Sequence, residues 1–333
     1  MNEHRLLTSP SELQLLRQLA HKVGSDPLLT QGSTGNSSLK QDGVLWIKKS
    51  GTWMADALRD EIHVPLDLVT LRHCLRQGIE PRELYPRSSV ETAMHAVLPH
   101  RVVLHVHCVS TIAWAVRSDA PIQLQRRLEG LPWHWIHYQA SGLPLSRAVE
   151  HALRARPGQN VFVLGNHGLV VAGEDVETVQ DLLAEVNKRL VVIPRQSPAA
   201  NYAALWELSR GTRWTLPNDD NMHSIGTDAV SQNILARGLL HPCQADIASC
   251  WMSGSSCSVL VDKLSKQRRN RFADPPFLIV KGSGVVVSRC IKPAQLALIS
   301  GLVQVVQRLG ESTPLHYLNE SESAHVINHG ASR

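Results

Sequence analysis

The chain has 333 residues, 43% apolar and 19% charged, and its 34 Lys and Arg against 29 Asp and Glu give a formal charge of +5. That composition buries a sizeable core, excludes global disorder and fits two domains of ordinary size. The basic excess is mild and scattered; its densest stretch, residues 263–271 (KLSKQRRNR), reads as an exposed face, so nucleic-acid binding is not expected.

The opening residues, MNEHRLLTSPSEL, lack the apolar core of a secretory leader. No run of about 18 apolar residues occurs, so the expectation is a soluble cytoplasmic protein that does not enter a membrane. Six cysteines (Cys74, Cys108, Cys243, Cys250, Cys257 and Cys290) form no C-x-x-C pair and are expected as reduced thiols. The wide recurrence of Cys243, Cys250 and Cys257 reads as packing rather than a metal cluster.

In chain order, residues 11–22 put Leu13, Leu16 and Ala20 on one helical face behind Ser11 as a cap. The stretch QGSTGNSSLK (31–40) leads through Asp42-Gly43 into the apolar run 44–47, which predicts two strands around a tight turn. Helices are expected over 67–77 and from Ser88 to the residues before Pro99. Residues 101–116 (RVVLHVHCVSTIAWAV) read as a β-branched strand running into a helix. Strands are also expected at 133–138, 161–164 and 169–171, the last two joined by a GNHG turn, with helices over 145–155 and 179–190. This interleaving predicts an α/β fold, a layered αβα domain around one sheet over residues 1–195.

Residues 196–225 are rich in Pro, Asn, Asp and Gly and are expected as a linker. A smaller C-terminal α/β unit is expected over 226–310, with strands at 277–280 and 285–287 around a KGSG turn and a helix over 293–309. Residues 311–333 read as a polar, frayed tail. Lys48-Lys49-Ser50-Gly51 is echoed by Lys281-Gly282-Ser283-Gly284, a sign of either a degenerate repeat or chance.

His105 and His107 stand at i and i+2, so on a strand both imidazoles project from one face, where they can grip one cation. A site that polarises a carbonyl needs a third protein ligand and an open position, and His167 in Gly165-Asn166-His167-Gly168 is the candidate. His134 and His137, three apart, fall on opposite faces and suit a structural or substrate-facing role. Glu91 has two readings: Ser88-Ser89-Val90-Glu91 forms a helix capping box, which the residues alone favour, or Glu91 is a carboxylate that moves a proton beside the metal. Gly32 to Ser38, Ser50-Gly51 and Ser88-Ser89 offer amides and small hydroxyls suited to an oxyanion or phosphate. No phosphate-binding loop or dinucleotide fingerprint is present.

Taken in order, Gly35-Asn36-Ser37-Ser38, Ser50-Gly51, Ser88-Ser89-Val90-Glu91 with His95, His105-Val106-His107 and Asn166-His167-Gly168 resemble the class II aldolase/adducin family over residues 10–195. The details look most like the aldolase portion of bifunctional rhamnulose-phosphate aldolase/dehydrogenase proteins, without their dehydrogenase module. The region from His241-Pro242 onward resembles, more loosely, the segment C-terminal to that portion. The resemblance implies a divalent metal, Zn2+, at His105, His107 and His167, and a catalytic carboxylate at Glu91. It also implies a phosphate cradle from Gly35, Asn36, Ser50, Gly51, Ser88 and Ser89. It further implies a mainly antiparallel sheet flanked by helices, and a homo-oligomer, commonly a tetramer. The implied activity is a metal-dependent aldolase that cleaves or forms a carbon–carbon bond in a phosphorylated ketose through a metal-stabilised enediolate. A sugar-phosphate dehydratase, epimerase or decarboxylase on the same site and a non-catalytic adducin-like scaffold are the alternatives. Two departures stand out: Lys49 occupies a position where relatives have glycine, and Val90 separates Ser89 from Glu91. None of Tyr85, Tyr138, Tyr202 and Tyr317 matches a family motif for an acid.

Overall fold

The computed structural model describes residues 11–244 and 276–329. The basic stretch 263–271, Cys250 and Cys257 lie outside the described residues. The chain divides into two compact units, the first ending at Val191 and the second beginning at Val192, which also takes in Val116–Ser118.

The first unit holds a seven-stranded sheet in the order β3-β2-β1-β4-β7-β6-β5. Its strands are β1 (Asn36–Gln41), β2 (Val44–Lys48), β3 (His63–Asp67), β4 (Val102–Val106), β5 (Trp133–Ile136), β6 (Val161–Leu164) and β7 (Gly168–Gly173). Every neighbouring pair is antiparallel except β5 with β6. The turn between β1 and β2 places both Asp42 (φ 51°) and Gly43 (φ 77°) in the left-handed region, the conformation that the Asp-Gly hairpin signal predicts.

The helices are α1 (Ser11–Gly24), α2 (Leu68–Arg76), α3 (Pro81–Leu84), α4 (Thr92–Val97), α5 (Val109–Ala115), α6 (Ala120–Arg127), α7 (Leu143–Ala155) and α8 (Val176–Leu190). Strand β4 is buried along its whole length. Leu104 and Val106 join one apolar cluster with Leu13 and Leu16 of α1 and Val179 and Leu183 of α8. Val103 joins the cluster on the other face, with Met94 of α4 and Leu145 and Val149 of α7. Helices therefore cover both faces of the sheet. Each large apolar side chain so buried contributes roughly 1.5–3 kcal/mol before entropy. His105 shares the parity of Val103 and so faces α4 and α7, the layer that carries Glu91.

The helix expected from Ser88 begins only at Thr92. Ser88 is held in a bridge with Lys49, its hydroxyl donates to the Tyr85 carbonyl, and Glu91 precedes the helix without a side-chain cap bond. The capping-box reading of Ser88 and Glu91 is thereby corrected, because extended pairing with Lys49 removes Ser88 from the helix entry.

The second unit contains α9 (Tyr202–Ser209), β8 (Trp214–Thr215), α10 (Ser224–Thr227), α11 (Ala229–Ala236), β9 (Phe277–Val280), β10 (Gly284–Ser288), α12 (Pro293–Gln307) and α13 (Glu320–His329). Its strands form an antiparallel sheet in the order β8-β10-β9. The stretch 196–225 thus holds a helix and a strand in place of the expected linker. Its polar residues act as caps, Asn201 accepting from the Ala204 amide and Asp219 from the Asn221 amide. Leu205 and Trp214 pack with Leu278 and Val286. The stretch expected as a frayed tail holds α13 and buries Leu318 and Val326. Among the described residues no helix is long and apolar enough to cross a membrane.

Candidate metal centre

The register of the central sheet brings His105, His107 and His167 together. His105 sits opposite Asn36 on one side and Val170 on the other. His107 follows the end of β4, and His167 occupies the turn between β6 and β7, after Asn166 at φ 53°. Gly168 is needed for this approach: a Cβ there would lie 2.6 Å from the Val106 carbonyl oxygen and 3.2 Å from Cε1 of His105. The ring centroids of His105, His107 and His167 are 4.9, 5.0 and 5.1 Å apart, and all three side chains are buried.

His105 Nδ1 meets the Leu169 carbonyl at 3.0 Å, which makes Nδ1 the protonated nitrogen and leaves Nε2 with a lone pair pointing inward. That Nε2 lies 3.0 Å from His107 Nε2. Burial pushes the His105 pKa down to about 4 against the pull of Glu91, so the ring is neutral near pH 7. His167 Nδ1 is buried with no hydrogen-bond partner among the described residues. One ligand atom from each ring lies within 4.8 Å of the others. Three buried imidazoles, at least one of them presenting a bare nitrogen, are the donor set of a borderline divalent cation, and the residues fit such a group.

Glu91 completes the cluster. Its Oε2 is 3.3 Å from His105 Nε2 and its Oε1 is 3.2 Å from His167 Nε2. Burial raises its pKa, but His105, His167 and His107 outweigh that and hold the carboxyl well below its usual range. Asn36 Nδ2 donates to Oε2 at 2.7 Å and Ser141 Oγ donates to Oε1 at 3.2 Å. Asn36 is itself held through its Oδ1 by His95 Nε2, and His95 Nδ1 pairs with Ser38 Oγ at 2.7 Å. A polar chain therefore runs from Ser38 through His95 and Asn36 to the carboxylate.

Of the expected cradle residues, Asn36 meets Ser89 directly and Ser88 is paired with the segment that leads into Ser50. The Asn36 amide is shared between Glu91 and Ser89 Oγ, at 3.1 Å for the latter. The Lys49–Ser88 bridge sets Ser50 beside Arg87 and Ser89 beside Lys48, while Gly51, at φ 73°, has open space where a Cβ would stand. Backbone amides there are already engaged, Ser50 with the Arg87 carbonyl at 2.9 Å and Ser89 with the Lys48 carbonyl at 3.2 Å. Gly35 lies at the entry to β1 with φ 68°, its Cα so close to β4 that a Cβ would sit 2.7 Å from the His105 carbonyl.

Lys48 and Ser141 are functional candidates that sequence reasoning missed. Lys48 is almost wholly buried at the end of β2, its ammonium donating to the Ser33 carbonyl at 3.0 Å. Burial lowers its pKa to about 8, against the attraction of Glu91. A lysine closing the apolar strand VLWIK was the available signal. Ser141 lies in a loop distant in sequence from Glu91 and gave none. His134 and His137 stand outside the triad, His137 Nδ1 accepting from Trp135 Nε1 at 3.3 Å.

Residues 14–191 match the family model described as the class II aldolase and adducin N-terminal domain. The chain belongs to that family. A Bacillus subtilis (strain 168) protein described as an uncharacterized oxidoreductase, YuxG, is 26% identical over 199 residues, covering 53% of this chain and 29% of that protein. The chain thus spans under a third of that curated relative. Among solved structures, the N-terminal class II aldolase domain of a conserved Thermoplasma acidophilum protein is 21% identical with a TM-score of 0.48, covering 57% of this chain and 97% of that one. L-fuculose-1-phosphate aldolase from Thermus thermophilus is 19% identical with a TM-score of 0.38, covering 60% and 97%.

Proposed function

We propose that this protein is a class II aldolase-type lyase acting on a phosphorylated ketose. The observation that carries the reading is the convergence of three buried imidazoles on one carboxylate, with Glu91 3.2–3.3 Å from two of the ring nitrogens. Three buried imidazoles packed around a buried carboxylate cost stability that a non-catalytic scaffold has no reason to bear.

His105, His107 and His167 would hold a divalent cation, with zinc favoured by the imidazole donors, and that ion supplies a Lewis acid for the carbonyl oxygen. Glu91 carries the proton to or from the carbon next to that carbonyl. Asn36 and Ser141 fix the rotamer of Glu91, so that the carboxylate meets the reacting carbon without reorganising. The hydroxyls of Ser50 and Ser89, and that of Ser88 once turned from the Tyr85 carbonyl, bind the phosphate oxygens with the Lys48 ammonium; Gly51 keeps the approach clear of side chains and Gly35 lets β1 lie close against β4. A cytoplasmic location and a homo-oligomer, tetrameric as is common in the family, belong to the same proposal.

The test is turnover of a panel of ketose 1-phosphates by protein loaded with zinc, cobalt or manganese, with product analysis. Release of a triose phosphate and an aldehyde is expected. A folded, metal-loaded protein that leaves the whole panel untouched defeats the reading, and products of dehydration, epimerisation or decarboxylation replace aldol cleavage by that chemistry.

A further inference from the structure

The hairpins β6–β7 and β9–β10 share one plan. Leu164 pairs with Gly168 and Val280 with Gly284, and the ladders continue in the same register to Val161 with Val171 and Phe277 with Val287. Each turn holds its second residue in the left-handed region, Asn166 at φ 53° and Gly282 at φ 77°. The third turn residue returns its amide to the strand, His167 to the Leu164 carbonyl at 3.1 Å and Ser283 to the Val280 carbonyl at 2.9 Å. After each hairpin comes a helix of 15 residues, α8 and α12.

A hairpin followed by a helix recurs widely and proves little alone. Two further correspondences are not imposed by the hairpin. The next strand lies antiparallel on the same edge in the same register: Leu104 of β4 faces Val171, and Thr215 of β8 faces Val287. The second turn residue donates its amide to a helical carbonyl, Asn166 to Ala115 at 3.0 Å and Gly282 to Gly226 at 2.7 Å. Ala115 stands 11 positions after Leu104, and Gly226 stands 11 positions after Thr215.

From these matches we infer that the second unit is a degenerate copy of the metal-bearing half of the first, and that it has lost the metal. Carried along the shared register, His105 corresponds to Leu216, His107 to Asn218 and His167 to Ser283. Leucine offers no donor, and an amide and a hydroxyl are weak ligands for the cations that imidazole binds. Strand β8 is an edge among the described residues, so the second unit has no counterpart there of β1 and its Asn36. The KGSG stretch is the structural partner of Gly165-Asn166-His167-Gly168. The similar Lys48–Gly51 run leaves β2 for the bridge with Ser88 instead, so its likeness to KGSG is chance. Among the described residues, the cation site is therefore the one in the first unit.

The experiment restores the lost ligands. In the full chain, Leu216→His, Asn218→His and Ser283→His are combined with His105→Ala and His167→Ala, which silence the first site, and cobalt(II) is titrated by absorption. The restored chain is expected to bind one equivalent with a tetrahedral cobalt spectrum, while the double alanine variant alone binds none at that affinity. A folded restored chain that binds no cobalt overturns the inference. Should that variant not fold, the register decides: the Thr215→Cys/Val287→Cys pair must form a disulfide, located by peptide mapping, and its failure to form overturns the inference as well. The metal reading of the first unit fails separately, if the wild-type chain takes up no cobalt.

Discussion

Asn36 and Glu91 lie on different elements, the first residue of β1 and the residue before α4, yet the Asn36 amide donates to the Glu91 carboxylate at 2.7 Å. His95 holds the other end of the same amide, so Asn36 cannot flip without breaking both bonds. Replacing it with leucine leaves the carboxylate short of a donor and free to turn. We expect Asn36→Leu to lower kcat by about 10- to 100-fold while metal content is retained, the range seen when hydrogen-bond support around a metal site is removed. Steady-state kinetics on metal-quantified protein checks this, and a change confined to KM would count against it.

Removing a ligand should act on both metal content and stability. His167→Ala takes away one of three donors, and we expect its bound metal, read by elemental analysis, to fall to trace levels after dialysis. A ligand present at about 1,000 times its Kd stabilises a fold by about 4 kcal/mol. Adding zinc should therefore raise the melting temperature of the wild type by several degrees and leave that of His167→Ala unmoved.

Lys48 tests the proposed phosphate site. Taking an ammonium into this environment costs stability, as the fall of its pKa to about 8 records. Lys48→Met should keep the fold at equal or greater stability, yet raise KM for a phosphorylated substrate about 10-fold or more with a smaller effect on kcat. An unchanged KM would show that the phosphate is held by the serines without Lys48.

His63 sets a pH window. Burial, with the nearby charges of Lys48, Arg17 and Lys49, lowers its pKa to about 3 from the ordinary 6.5, and its Nε2 pairs with Ser37 Oγ at 2.9 Å. The folded state binds the proton less readily than the unfolded one. The stability is thus fully present above pH 6.5 and is lost as pH falls toward about 3, with an upper bound of about 5 kcal/mol for a shift of this size. Chemical denaturation of His63→Gln beside the wild type should show a shallower loss of stability between pH 6.5 and 4. Parallel curves would assign the acid sensitivity to other groups.

Local signals in the sequence were sufficient for most elements of the first unit. The Asp42-Gly43 turn, the β-branched run through His105 and the helical spacing of Val179, Leu183 and Val186 all appear in the structure, because backbone preference and apolar periodicity act over a few residues. The stretch from Trp214 to Ile225 was less legible. Its polar residues read as breakers in one dimension, but Asp219 caps the turn Asp220–His223 and Trp214 pairs with Ser288.

The amino-acid sequence by itself determined which donors are available, namely two histidines on one face of a strand and a third in a glycine turn, since alternation along a strand is a local property. Tertiary structure alone decided which groups Glu91, Asn36 and Lys48 meet, because those partners lie far along the chain and sheet register sets which atoms come together. The correspondence on which the inferred duplication rests is likewise one of strand pairing, which the side chains of the second unit do not spell out.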